Sequence, residues 1–275
     1  MPPLVYETVA WLRFYTHLPL PTLPGESEAG AAPDPLRTAQ AVPIAGALIG
    51  VAAGIVLVIV SWLGASAFVA AAAAALMLIA ATHGHSELAF AALVERIFGG
   101  SNGQPEHHGS LAGIADKFRH HTQESVVVTA RMSVYGLLAI LLAVLLRVGA
   151  LEALTANAVV ATAFVLVGAG AVSRAAATSF AIIRPGAPGD DTQRDQAALQ
   201  WLVATGLGIG IITVLPGFGV GATIAGLAAA IGAAALVTAF VPRSESEGGR
   251  LFTGTAELIA EIAFLVAVLA FARTP

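Results

Sequence analysis

The chain has 275 residues, of which 57% are hydrophobic and 11% are charged, against roughly 45–50% and about 25% in soluble domains. Its mean hydropathy is +0.84. The net charge of −4 excludes a basic surface for nucleic acid, and the absence of cysteine excludes disulfides, thiolate metal sites and a cysteine nucleophile. The composition predicts one all-α domain over residues 1–275, a polytopic helix bundle integral to a membrane.

The first 40 residues are predicted to form an interfacial segment rather than a signal peptide. No basic region precedes an apolar run of the kind that secretory signals carry. Residues 6–17 are amphipathic and contain Trp11, Phe14 and Tyr15, which is typical of a helix lying at the membrane surface. The stretch 25–34 is polar, acidic and contains proline, so it is predicted to be a loop.

Apolar segments long enough to cross a membrane follow in chain order. No charged residue lies between Arg37 and Glu87, and this stretch can hold two spans of about 20 residues each. A turn at residues 216–219 is expected to divide a later apolar stretch into two spans. The seven predicted spans are residues 42–63, 67–82, 132–146, 158–172, 201–215, 220–241 and 258–271.

Small residues are frequent in these spans. The alanines of 70–75, the glycines of 206–210 and the small residues of 226–235 are expected to allow close approach of helix backbones. We interpret these stretches as packing surfaces between helices rather than as functional sites.

The distribution of positive charge predicts the orientation. With the amino terminus inside, eleven of the 13 Lys and Arg residues flank the inner ends of the spans, and only Arg147 and Arg273 lie outside. Because Lys and Arg concentrate on the cytoplasmic side, we expect a bacterial inner membrane protein with three large cytoplasmic loops. These are residues 83–131, which form a polar, His-rich loop, residues 174–200 and residues 242–257.

Histidine is concentrated in one window, since six of the seven histidines lie between His83 and His121. His85 and Glu87 stand at the inner end of the second span, where a carboxylate near the membrane is costly unless it is paired or bound to a metal. Histidine nitrogens and carboxylate oxygens can bind Mg²⁺, Mn²⁺ or Zn²⁺. An irregular backbone at Gly84, with Glu95 or Asp116 folding back, would complete a site that favours Mn²⁺ or Zn²⁺. A solvated loop without metal is the alternative.

Other polar residues lie in or beside the later spans. Ser173 and Arg174 close the fourth span, where the arginine can either extend to the interface or bind a phosphate. Glu257 and Glu261 are four residues apart and therefore share a helix face. Because Glu261 lies within an apolar run, we expect it to face the bundle interior with Arg174 or Arg250 as its partner.

Four segments, taken in order, carry a family resemblance. They are residues 12–21 (LRFYTHLPLP), 39–50 (AQAVPIAGALIG), 169–174 (AGAVSR) and 261–265 (EIAFL). Together with the order of spans and loops, they resemble the adenosylcobinamide-GDP ribazoletransferase, or cobalamin synthase, family over nearly the whole chain. The resemblance implies a phosphotransferase of late cobalamin biosynthesis that joins adenosylcobinamide-GDP to α-ribazole or its phosphate and releases GMP. It implies corrinoid and nucleotide substrates as partners besides membrane lipids, and leaves a homo-oligomer open.

The acidic signature of that family, H-x-D-G-L-A-D-[TV]-x-D-G, would bind Mg²⁺ through its aspartates. An ungapped placement puts His85 at the histidine of the signature and Glu87 in place of its first aspartate, with Ala91 and Val94 in place of the other two aspartates. A second placement, at residues 109–118, keeps only the aspartate at 116. The resemblance thus implies catalytic roles for Glu87 and Asp116, metal binding by His85, Glu87 and Glu95, and phosphate binding by Arg131, Ser173 and Arg174.

Because the acidic signature is reduced, three functions stay open at the level of sequence. In the first, the chain is an active transferase that uses a divalent metal, which is Mg²⁺ by resemblance. Alternatively, it is a divergent, catalytically impaired paralogue that binds a corrinoid or acts as a scaffold. A transporter of metals or corrinoids is a third class, but it fits less well with spans that are nearly free of charge.

Overall fold

The computed structural model describes residues 3–16, 33–98, 134–183, 192–240 and 248–272, and all regular structure in these ranges is helical. This confirms the predicted all-α class. In chain order the helices are α1 (Pro3–Tyr15), α2 (Ala41–Trp62), α3 (Ala67–Thr82), α4 (His85–Phe98), α5 (Val134–Asn157), α6 (Val159–Ile183), α7 (Thr192–Phe240) and α8 (Gly248–Ala272).

Helix α7 is a hairpin of two arms that meet at Gly219, which has a left-handed φ of 81°. A Cβ added at Gly210, in the first arm, would lie 3.0 Å from Cδ2 of Leu227, in the second. Along a straight helix these two residues would be about 25 Å apart, so the arms fold back on each other. The break lies within the predicted turn at 216–219.

Among the described residues, five helices are long and apolar enough to cross a membrane, and the bent pair α3 and α4 would make six. These five include Gln196–Phe240 as one helix, although its two arms are each more than 20 residues long. Counted separately, the arms bring the total to seven. The protein is therefore an integral membrane protein whose number of spans is consistent with the predicted seven.

Glycines set the closest helix contact, which joins α2 to α6 in antiparallel fashion. Gly46, Gly50 and Gly54 recur every four residues on α2. A Cβ at Gly46 would meet the carbonyl oxygen of Gly170, and a Cβ at Gly54 would lie 3.1 Å from the carbonyl oxygen of Ala163. Only a residue without a side chain allows two helix backbones to come this close.

Two short helices pack against one end of the bundle. Helix α1 lies on α2 and is held by Trp11, whose indole Nε1 donates a hydrogen bond of 2.8 Å to Oγ1 of Thr38. Helix α4 follows α3 at a bend of 84° and packs against α5 and α8. The segment 83–131, predicted to be a polar loop, thus begins with a helix inside the bundle, and residues 99–131 lie outside the described ranges.

Two helices continue past the charged residues at which the predicted spans end. Helix α5 runs through Arg147 to Asn157, and α6 runs through Arg174 to Ile183. Both arginines are buried and contact polar groups of other helices. The prediction that Arg147 lies in an outer connection is therefore wrong. The residue lies within the bundle, where its charge is compensated.

The turn between α2 and α3 lies at the opposite end of α2 from Gly46. Trp62 is 92% exposed and Leu63 is 81% exposed there. Ser66 begins α3 by accepting a hydrogen bond from the backbone N–H of Val69, which satisfies one of the free donors at the helix start. The two bulky side chains thus stand at an exposed end of the bundle.

Candidate functional site

Polar and charged side chains from five helices meet in the bundle interior, each with no more than 8% of its surface exposed. We call this group the buried polar cluster. Its members are Tyr15 of α1, Ser86 and Glu87 of α4, Arg147 of α5, Arg174 and Thr178 of α6, and Glu257 and Glu261 of α8. Because burying an unpaired charge is very unfavourable, the contacts among these groups are what allow them to lie here.

The first half of the cluster is an ion triad around Arg147. Its Nη1 donates a hydrogen bond of 2.7 Å to Oε1 of Glu87, and its Nε lies 3.1 Å from Oε1 of Glu261. The second contact is at ion-pair distance but is not aligned as a hydrogen bond. The triad joins three helices, α4, α5 and α8, through residues that are far apart in the sequence.

The second half of the cluster surrounds Tyr15. The guanidinium carbon of Arg174 lies 4.9 Å from the centre of the Tyr15 ring, within the range of a cation–π contact. The Tyr15 hydroxyl interacts with Glu257 and Thr178, and burial is the main reason that its pKa lies well above its usual value. Ser86 also hydrogen-bonds to Glu257. Glu257 and Glu261, one turn apart on α8, connect the two halves.

Local sequence features bring the α4 residues into the cluster. His83 and Gly84 both have left-handed φ values, 52° and 66°, and end α3 so that α4 starts immediately in a new direction. Glycine tolerates this conformation without strain. Ser86 and Glu87 then lie in the first turn of α4, where both are buried.

Two of the predicted phosphate-binding residues lie in or beside the cluster. Ser173 is fully buried, and its hydroxyl donates to the carbonyl of Gly170 in its own helix at 3.4 Å. Arg174 donates from Nη1 to the same carbonyl at 3.2 Å, while its buried Nε has no hydrogen-bond partner among the described residues. Arg174 thus keeps donor capacity for a ligand, whereas Ser173 points into its own helix.

The predicted metal ligands do not converge in the described part of the chain. His85 and Glu87 are two apart in a regular helix and so point to different sides. Glu87 contacts Arg147, and the imidazole of His85 lies beside Gly254. Glu95 is about 12 Å further along α4, with its Oε1 beside Gly136. No group of three or more His, Asp or Glu side chains within the described ranges is arranged to hold a metal ion.

The remaining predicted site residues, Asp116 and Arg131, lie outside the described residues. The divalent metal that the resemblance implies is therefore not matched by the donor set of the described residues. In that set, the carboxylates of Glu87 and Glu261 are already compensated by a guanidinium.

Comparison with known proteins bears on the whole chain. A family model described as cobalamin-5-phosphate synthase matches residues 7–105. An adenosylcobinamide-GDP ribazoletransferase of Azorhizobium caulinodans is 30% identical over 285 aligned positions, which cover 98% of this chain and 97% of that protein. The chain belongs to the adenosylcobinamide-GDP ribazoletransferase family. This confirms the resemblance carried by the sequence motifs and makes the chain a member of a transferase family of cobalamin biosynthesis.

A second member of the family agrees over a shorter stretch. The adenosylcobinamide-GDP ribazoletransferase of Xanthobacter autotrophicus is 36% identical over 155 residues, 56% of this chain and 52% of that protein. No solved structure matches the chain significantly.

Sequence reasoning missed four members of the cluster as site residues: Tyr15, Ser86, Arg147 and Thr178. A signal existed for Arg147 and Tyr15 only. Arg147 is the single charge in an apolar run of more than ten residues, and Tyr15 ends an amphipathic segment rich in aromatic side chains. Ser86 had no such signal, because a serine at a helix start is most often a capping residue.

Proposed function

We propose that this chain is an active adenosylcobinamide-GDP ribazoletransferase, which joins adenosylcobinamide-GDP to α-ribazole or its phosphate and releases GMP. In this reaction a ribazole hydroxyl attacks the phosphorus that carries cobinamide. The new P–O bond forms as the bond to the GMP oxygen breaks, and the hydroxyl proton is released. Negative charge develops on the pyrophosphate oxygens, so a positioned cation accelerates the step.

One observation supports Arg174 as the cation that stabilises the negative charge on the pyrophosphate oxygens. Arg174 is buried in an apolar bundle, yet its Nε has no hydrogen-bond partner among the described residues. A guanidinium presents parallel N–H groups that fit two phosphate oxygens. Arg147 is a poor candidate for the same task, since Glu87 and Glu261 already occupy two of its nitrogens. We therefore assign the pyrophosphate of the substrate to Arg174.

Glu257 is our candidate for accepting the proton of the attacking hydroxyl. It lies one turn from Glu261 on α8 and is the carboxylate of the cluster that does not contact Arg147. Its neighbours Tyr15 and Ser86 are both hydroxyl donors and hold it in place. The divalent metal of the family enters no step here, because the described residues do not form a site for it.

The assay is direct. Purified protein in lipid nanodiscs is mixed with adenosylcobinamide-GDP, α-ribazole and Mg²⁺, and both GMP and the corrinoid product are quantified. We expect product from wild type and a loss of about 10²–10³-fold in kcat for Arg174→Gln, the usual effect of removing one donor from a developing oxyanion. Arg37→Gln is the matched control, since that arginine pairs with Asp34 on the surface. Equal activity of the two variants would remove Arg174 from the site.

The second candidate function is a catalytically impaired paralogue that binds a corrinoid or acts as a scaffold. The observation that favours it is the Glu87–Arg147 hydrogen bond, which occupies one of the acidic positions of the family signature. An assay of corrinoid binding and GMP release on one preparation of the protein distinguishes the two functions. Folded wild type that binds a corrinoid but yields no GMP is the impaired paralogue.

For location, our proposal is the bacterial inner membrane with the large loops in the cytoplasm. The uneven distribution of Lys and Arg supports it, and the buried polar cluster lies towards the end of the bundle that contains the start of α8 and the later part of α6. Single-cysteine variants test it without interference, because the chain has no cysteine. Ser110→Cys should react with an impermeant maleimide only after the inner face is opened, and Trp62→Cys should react from outside.

A further inference from the structure

Arg147 is surrounded by acidic groups from two other helices. Its guanidinium contacts Oε1 of Glu87 at 2.7 Å and Oε1 of Glu261 at 3.1 Å. The three residues are 2%, 4% and 7% exposed in the order Arg147, Glu87 and Glu261. The arrangement is a cation between two buried carboxylates, which is also the arrangement of a divalent ion bound by two carboxylates.

A guanidinium and a metal ion cannot both bind between the carboxylates of Glu87 and Glu261. A divalent ion takes carboxylate oxygens at about 2.0–2.6 Å, which would bring it close to a guanidinium that is itself in hydrogen-bond contact with the same oxygen of Glu87. The repulsion between these cations is weakly screened in a buried site. The remaining Glu87 oxygen, Oε2, is buried and has no hydrogen-bond partner within the described ranges. No third His, Asp or Glu side chain among the described residues joins Glu87 and Glu261 to complete a metal site.

We infer that the guanidinium of Arg147 takes the place of a divalent cation between Glu87 and Glu261, so that this carboxylate pair is not a metal site in the natural protein. The inference goes beyond the proposed transferase activity and does not rest on it. It also implies a latent site: two buried carboxylates, freed from Arg147, would hold one divalent ion with water as the remaining ligand.

The test uses Mn²⁺ alone, without corrinoid or nucleotide, on full-length protein in lipid nanodiscs. Binding is followed by the loss of the free Mn²⁺ electron paramagnetic resonance signal and by isothermal titration. The proteins are wild type, Glu87→Gln, Arg147→Met and the double variant. Glu152→Gln is the matched control, because it removes a carboxylate on α5 that lies outside the cluster.

Wild type, Glu87→Gln and Glu152→Gln should bind Mn²⁺ with equal stoichiometry and affinity. Arg147→Met should gain one Mn²⁺ site per chain that wild type lacks, since a like-charge neighbour has been removed. The double variant should lose that site. Loss of a wild-type Mn²⁺ site in Glu87→Gln would overturn the inference, as would a folded Arg147→Met protein that gains none.

If Arg147→Met does not fold, two comparisons still decide the question. Equal Mn²⁺ binding by wild type and Glu87→Gln supports the inference, and unequal binding overturns it. Arg147→Lys keeps the positive charge in the triad and should bind Mn²⁺ as wild type does. Because no substrate is present, none of these results depends on whether the transferase reaction occurs.

Discussion

Replacing Gly50 with alanine should destabilise the bundle at the contact between α2 and α6. The added Cβ would lie 2.8 Å from both the carbonyl carbon of Leu166 and Cα of Val167 and closer still to the Leu166 carbonyl oxygen, and all three are backbone atoms that cannot rotate away. Overpacking of this kind costs about 1–3 kcal/mol. Alanine gains about 0.8–1.0 kcal/mol over glycine within a helix, so the net loss is up to about 2 kcal/mol.

Gly208→Ala is the matched control, because no atom lies within 4 Å of a Cβ added there. Both variants gain the same helix propensity, so their difference isolates the packing cost of about 1–3 kcal/mol. At about 2–4 °C per kcal/mol, thermal unfolding in detergent should separate their midpoints by about 2–12 °C. A Gly50→Ala protein as stable as Gly208→Ala would show that α2 and α6 do not approach as closely as described.

Three further predictions concern the buried polar cluster. Arg147→Met leaves two buried carboxylates without a cation and should lower the free energy of unfolding by about 3–5 kcal/mol, whereas Arg37→Gln should stay within about 0.5 kcal/mol of wild type in the same thermal unfolding assay. Tyr15→Phe keeps the ring over Arg174 but loses the hydroxyl, so it should cost about 1 kcal/mol, and Tyr15→Ala should cost more. Burial raises the pKa of Tyr15 well above its ordinary value of 10, so the unfolded chain loses this proton first and stability should fall as pH rises above about 10. Unfolding midpoints measured from about pH 9 to 11 should show a smaller fall for Tyr15→Phe, and equal slopes would contradict the burial of the phenol.

Much of the fold follows from the apolar pattern of the chain. Helices α2 and α3 begin and end within one residue of the predicted spans, because turn residues bound both apolar runs on each side. The break at Gly219 was also predicted from its neighbours Pro216 and Gly217. Close packing was predicted for the glycines of 206–210 and the small residues of 226–235. It is found at Gly206, Gly210 and Gly226, where an added Cβ would meet another helix, but not at Gly208 and Gly232, which have no neighbour within 4 Å of an added Cβ.

The helix contacts could not be predicted in the same way. Nothing in the sequence says which glycine-bearing face meets which helix, so the closest contact, between α2 and α6, did not emerge from it. Helix α4 was predicted as part of a polar loop because its first turn contains Ser86 and Glu87. Those side chains can be buried because Ser86 bonds to Glu257 and Glu87 bonds to Arg147. Both partners lie more than 50 residues later in the chain, so the local sequence does not reveal them.

The cluster itself was predicted in part. Glu261 faces the bundle interior as expected. The guanidinium beside it belongs to Arg147, which was not among the predicted partners Arg174 and Arg250, and the side chain of Arg250 lies outside the described residues. The distribution of Lys and Arg predicted that Arg147 lies outside, because the sequence alone does not show that the charge of this residue is compensated within the bundle. Arg174 instead contacts Tyr15, whose helix was expected only to lie on the membrane surface.

The exposed turn at Trp62 gives a scale of depth for the whole molecule. Tryptophan prefers the headgroup level of a bilayer, and Trp62 stands 16 residues along α2 from Gly46, the neighbour of Arg174. At 1.5 Å per residue that distance is about 24 Å, which is most of the hydrocarbon thickness of about 30 Å. With the indole at one interface, the guanidinium of Arg174 lies within a few ångströms of the other. The buried polar cluster, although enclosed by helices, therefore lies close to one aqueous compartment and far from the other.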